Sequence, residues 1–144
     1  MTVTTMTEDH LLMRMLASPA AVGLCRTLVA ARLHRWGLRH AIADAELVTA
    51  ELVANAVAAT PQGGEIWIRC AHDATGVLLQ IWDPNPRMPQ PQPVDLTLET
   101  LDLDPEHADD NGGWGLTIIA ALTLDHGCTP HPYGGKTAWA RLKI

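Results

Sequence analysis

The stretch Val48–Ala59, VTAELVANAVAA, constrains the fold of this chain more than any other. Its Ala, Leu and Val content, with no Gly or Pro inside it, predicts a helix. Thr60-Pro61 ends that helix, because the residue before a proline is pushed out of helical geometry. Only Thr49, Glu51 and Asn55 are polar, so the pattern predicts a helix buried on most sides. Glu51 and Asn55 stand four apart and share a face, with Val48, Ala58 and Ala59 around them. A carboxylate and an amide buried together need partners. They either cap or bond neighbouring backbone, or they face a cleft that holds a cation and a phosphate.

The flanking sequence supplies the remaining elements. Leu11–Leu16 is a short apolar run that suits an edge strand, behind a polar start, MTVTTMTEDH, expected to fray. Ser18-Pro19 opens a helix with an N-cap residue and a first-turn proline, and Gly37 stops it after Trp36. Within it Val22, Cys25, Leu28, Val29 and Leu33 follow helical spacing. The next helix covers roughly 42–60 and contains the opening stretch. Glu65–Ala71 alternates with period two, and Val77–Trp82 is a more continuous apolar strand that ends on Asp83.

Composition then shifts. Pro84–Pro93 holds five prolines, and Asp95–Asp110 carries seven acidic residues. Neither segment suits a helix or an inner strand, so 84–111 reads as one long excursion, a lid or a disordered segment. Gly112-Gly113-Trp114-Gly115 and an apolar helix, Leu116–Leu124, follow. Gly134-Gly135 makes a turn, and Lys136–Ile144 reads as the closing strand. Strands and helices do not alternate regularly. The expected fold class is therefore α/β, a two-layer sandwich of a mixed or antiparallel sheet with helices on one face.

At 144 residues the chain suits one domain, spanning 1–144. A net charge of −6 disfavours a nucleic-acid-binding surface. Cys25, Cys70 and Cys128 lack the spacing of a zinc site or a disulfide framework. With no leader-like segment and no apolar run of about 18 residues, a cytoplasmic protein without a membrane span is expected. His126, Cys128 and His131 are spaced too irregularly for a metal site. Lys136 reads as a solvated strand-end lysine, and Trp82 and Trp114 either cover a ligand or fill the core.

Three features converge on one chemistry. Glu51 and Asn55 share a helix face. Asp83 ends an inner strand, where a carboxylate accepts a hydrogen bond from an exocyclic amine such as that of adenine. Gly113-Trp114-Gly115-Leu116 opens a helix whose free N–H groups and dipole suit a phosphate. In this order the chain resembles the GHKL superfamily of histidine-kinase-like ATPases, which share the Bergerat fold. Within it the chain resembles the small stand-alone anti-sigma-factor serine kinases of actinomycete type, over about residues 18–143. Glu51–Ala56 is similar to the N box, Asp83 to the aspartate of the G1 box and Gly113–Leu116 to the G2 box. Gly134–Ala140 is similar to the final strand.

The resemblance implies the following roles. Asn55 coordinates Mg²⁺, Glu51 is the general base or holds the metal through a water, and Asp83 accepts from the adenine of ATP. Thr137 supports that contact through water, while Gly113, Gly115 and Leu116 shape the lid hinge and meet phosphate. It further implies a serine/threonine protein kinase that holds a sigma factor and is switched by an anti-anti-sigma partner of STAS type. Homodimerisation is also expected. A second function class is a nucleotide-sensing interaction module with little or no catalysis, and a third is a degenerate fold that no longer binds nucleotide and acts as a scaffold. The chain departs from the family pattern in three ways: Pro84-Asn85-Pro86 follows Asp83 where glycines are usual, Ala59 stands where a basic residue or His is common, and the lid is acidic with Arg87 as its one cation.

Overall fold

The computed structural model describes residues 9–89 and 114–144. Its elements run β1 (Leu11–Leu16), α1 (Pro19–Arg35), a single 3₁₀ turn (Arg39–Ala41), α2 (Ile42–Ala59), β2 (Glu65–Asp73), β3 (Gly76–Asp83), α3 (Trp114–Leu122), β4 (Asp125–Pro130) and β5 (Lys136–Leu142). Five strands form one sheet in the order β1-β2-β3-β5-β4, and every neighbouring pair is antiparallel. This is the two-layer α/β sandwich expected from the sequence, with the mixed alternative removed.

The core lies on one side of that sheet. Ile66, Ile68 and Cys70 on β2, Val77, Leu79 and Ile81 on β3, and Ala140 and Leu142 on β5 are all buried. These are alternate residues on each strand, so a single face carries them. Against it lie Cys25, Val29 and Leu33 of α1 and Ala45, Val48, Leu52, Val53 and Ala56 of α2. Helix α3 packs on α2 and β4. Burial pushes the Cys25 thiol up to about 11 and the Cys70 thiol up to about 12, so both behave as small core hydrophobes.

Local chemistry sets the element ends. Helix α1 closes on a Schellman motif. Gly37 adopts φ +75°, its N–H bonds His34 O at 3.1 Å, and Leu38 N–H bonds Leu33 O at 2.8 Å. At the other end Ser18 sits at the N-cap position in extended geometry, but its side chain makes no cap bond. The β2–β3 hairpin is organised by the Asp73 carboxylate. It accepts from the Thr75 hydroxyl, from Thr75 and Gly76 N–H, and from Arg141 on β5.

Two differences from the sequence expectation have physical reasons. Strand β4 was not foreseen, since Asp125-His-Gly-Cys-Thr-Pro130 shows no strand pattern. It forms because β5 offers it a full antiparallel partner, and because Gly127 lets the Trp139 ring lie over its backbone: a Cβ there would meet Trp139 Cζ2 at 2.9 Å. Helix α3 starts at Trp114, two residues before the expected Leu116. Residues 1–8, most of the expected lid (90–111) and Gly113 lie outside the described residues.

Two tests follow from this packing. Ile81 is fully buried on the central strand, so Ile81→Ala should lower unfolding stability by about 2–5 kcal/mol in chemical denaturation. The hydrogen bonds from Thr75 hold the Asp73 carboxyl at about 2, against 3.8 for a free side chain. The folded state therefore binds this proton more weakly than the unfolded chain. The resulting stabilisation is complete above pH 3.8 and disappears as pH falls towards about 2. In Asp73→Ala, denaturation midpoints measured across that window should fall less steeply with acid than those of the wild type.

Candidate functional site

Asp83 is the last residue of β3, on the helix-facing side, and only 2% exposed. Its Oδ1 accepts from Asn85 N–H at 2.9 Å and from Lys136 Nζ at 2.9 Å. The ammonium also donates to Asn85 O at 2.8 Å. Asn85 carries the connection onward: its Nδ2 donates to Ala59 O at 3.1 Å, and its Oδ1 accepts from Arg87 N–H at 2.9 Å. One knot of bonds thus joins the end of β3, the start of β5, the C-terminal turn of α2 and the segment leaving the sheet. Among the described residues, no hydrogen bond reaches Asp83 Oδ2.

Gly135 allows the knot to be this tight. It adopts φ +74°, and a Cβ there would stand 2.1 Å from Asp83 O and 3.0 Å from Pro84 Cα. No other residue meets both the backbone geometry and the close approach.

Lys136 corrects the sequence reading. It was expected in solvent, yet it is 7% exposed and ion-paired with Asp83. The reason is register. Asp83 pairs with Lys136 across β3 and β5, and directly opposed residues point to the same face. The alternation Lys136, Ala138, Ala140, Leu142 carries this signal in the sequence, and Asp83-Pro84-Asn85 carries that of an Asx turn.

The same register moves Thr137. It pairs with Trp82, so it points to the sheet face opposite Asp83 and stands in one row with Trp67 and Trp82. A water bridge from Thr137 to a ligand held by Asp83 does not fit this arrangement. The Trp67 and Trp82 rings stack 6.3 Å apart, with His131 edge-on to both, so Trp82 also lies away from Asp83.

Glu51 and Asn55 lie on the flank of α2, whose centre is taken by Ala45, Thr49, Leu52 and Ala56. They were expected to be buried. Instead Asn55 is exposed and Glu51 half-buried, because the buried arc of α2 stops at Val48. Desolvation raises the Glu51 carboxyl above its usual value. Neither side chain makes a hydrogen bond or ion pair among the described residues. At 1.5 Å per residue, Asn55 lies about 6 Å and Glu51 about 12 Å along the axis from Ala59, where the Asp83 knot is attached. Gly115 and Leu116 fall in the first turn of α3, whose N–H groups have no partner within the helix.

These residues suit the groups the resemblance implies. A free amide oxygen on Asn55 is the hard donor that Mg²⁺ takes alongside phosphates and water. Oδ2 of Asp83 is an acceptor without a hydrogen bond among the described residues. Among the described residues no three His, Cys, Asp or Glu side chains gather as metal ligands, and no helix is long and apolar enough to cross a membrane.

An antiparallel sheet covered by helices on one face, with a carboxylate at a strand end and a polar helix flank beside it, defines a two-layer α/β sandwich. A family model described as a histidine kinase-like ATPase domain matches residues 15–140. The chain belongs to that family, and the family points to ATP as its ligand. No curated protein matches the chain.

Gly135→Ala tests the knot. The substitution should cost more than about 1 kcal/mol in denaturation, through strained φ and the clash with Asp83 O.

Proposed function

We propose that the chain is an ATP-binding regulatory serine/threonine protein kinase that acts as an anti-sigma factor, binding a sigma factor and an anti-anti-sigma protein of STAS type in a partner-switching pathway. The observation that carries the reading is the alignment of Glu51 and Asn55, both without partners among the described residues, on the α2 flank that ends at the Asp83 knot.

Each residue has a role in this reading. Asp83 binds the base, Asn55 offers its oxygen to Mg²⁺, and the first turn of α3, with Gly115 and Leu116, presents N–H groups to phosphate. Bound Mg²⁺ neutralises phosphate charge. Glu51 takes the proton of the acceptor hydroxyl, and its raised carboxyl strengthens it as a base. Positioning and charge neutralisation provide most of the rate in such transfers. The cytoplasm, where a sigma factor resides, is the compartment this reading requires.

One observation favours a second reading, a nucleotide-sensing interaction module without transfer. Lys136 already occupies the Asp83 oxygen nearest β5, so ligand binding competes with an internal ion pair. In this reading occupancy is signalled through the Asn85–Ala59 link to α2 rather than through chemistry.

Calorimetric titration with ATP and ADP, with and without Mg²⁺, tests the shared premise. Asp83→Asn should weaken binding by about tenfold or more, and Asn55→Ala should remove the Mg²⁺ dependence. Labelled phosphate should then pass to a serine of a STAS-type partner, and Glu51→Ala should reduce that transfer at least about a hundredfold without changing ATP affinity. Binding without transfer selects the sensing module.

A further inference from the structure

Of the nine large apolar side chains exposed among the described residues, four lie at one edge of the sheet: Leu12, Met13 and Leu16 on β1 and Leu24 on α1. Leu12, Arg14 and Leu16 stand opposite Arg69, Trp67 and Glu65, on the sheet face away from the helices. Met13 points to the helix side, yet it is 37% exposed. Helix α1 runs back beneath β1, from Cys25 at the Met15 sulfur to Arg32 at the Asp9 carboxylate. Leu24 and Leu28 stand in one row with Arg32, so Leu24 lies on the same outer side as Met13.

The backbone of this edge is open as well. Strand β1 pairs with β2 and with no other strand among the described residues. Ala17 N–H bonds Gly64 O at 2.9 Å and continues the β1–β2 register. The odd-numbered residues of β1 therefore turn their N–H and C=O to β2, and Leu12 and Arg14 turn theirs outward. The strand is LLMRML, with no Pro, no Lys and no bulge to turn another strand away. The opposite edge differs: β4 begins on Asp125 and His126 and ends on Pro130.

We propose that a second copy of this chain occupies the edge, with the two β1 strands paired antiparallel about a two-fold axis at Met13 and the two sheets joined into one. The proposal goes beyond the nucleotide reading and does not depend on it. In this register the backbone of Leu12 in each copy bonds that of Arg14 in the other, and the strands overlap from His10 to Leu16. An axis at Arg14 would set two guanidinium groups against each other. A second copy suits the edge because one two-fold satisfies the same outward backbone groups in both chains. It also removes the same apolar residues from water, Leu12 on one side of the sheet and Met13 and Leu24 on the other.

The test is sedimentation equilibrium of the full chain without nucleotide. The wild type should show twice its 15.6 kDa mass at concentrations up to about 100 μM. Leu12→Lys sets a cation opposite Arg14 of the other copy and should weaken the dimer about tenfold or more, and adding Arg14→Glu should restore it. Both side chains are exposed, and circular dichroism confirms that the fold is kept. In a Cys128→Ser chain treated with diamide, Met13→Cys should give a disulfide-linked dimer, because directly opposed residues lie within disulfide reach. Leu16→Cys should not, since its two copies stand about 20 Å apart. A wild type that stays monomeric overturns the proposal, as does a dimer indifferent to Leu12→Lys or one that cross-links at Leu16→Cys in preference to Met13→Cys. The wild-type mass and the cross-link decide even where a charge variant misfolds.

Discussion

The ion pair between Lys136 and Asp83 is the interaction on which the rest of the site depends. It joins the two strands at the centre of the sheet at the point where the chain leaves that sheet. Burying two charges is expensive, and such a pair persists only where further hydrogen bonds satisfy it. Here Asn85 provides them through its N–H and its carbonyl, while its side chain reaches the end of α2. Removing either charge leaves the other buried without a partner, a loss of about 3–5 kcal/mol in comparable settings. The pair is thus a structural commitment as well as a chemical one.

That commitment gives Pro84 and Pro86 a physical sense. The two prolines flank Asn85 and stiffen the segment that must hold its turn. Where glycines would leave this loop adaptable, this chain has a rigid clasp. The Asp83 carboxylate is held in one orientation by its bonds to Asn85 and Lys136.

The two sheet faces divide the work. One supports the helices and carries Asp83 and Lys136. The other carries Trp67, Trp82, Thr137 and Trp139, with His131 against the stacked indoles. On the helix side, the α2 flank with Glu51 and Asn55 stays open because the buried arc is complete without them. Helix α2 is thus anchored on one side and open on the other.

Much of this was legible without coordinates. Alternation in Glu65–Ala71 and the apolar run before Asp83 located two inner strands, Gly37 and Thr60-Pro61 located helix ends, and the order of the motifs pointed to the family. These signals are local, because they arise from side-chain period and backbone sterics within a few residues. Strand β4 was illegible, since its residues have no strand preference and it exists because β5 pairs with it. The exposure of Asn55 was missed because helical spacing shows which residues share a face but not where the buried arc ends. The sequence by itself determined the layered α/β class and a carboxylate at the end of a buried strand. Only the tertiary structure decided that Lys136, and not Thr137, stands beside that carboxylate, because which residues meet across two strands is set by register between segments more than fifty residues apart.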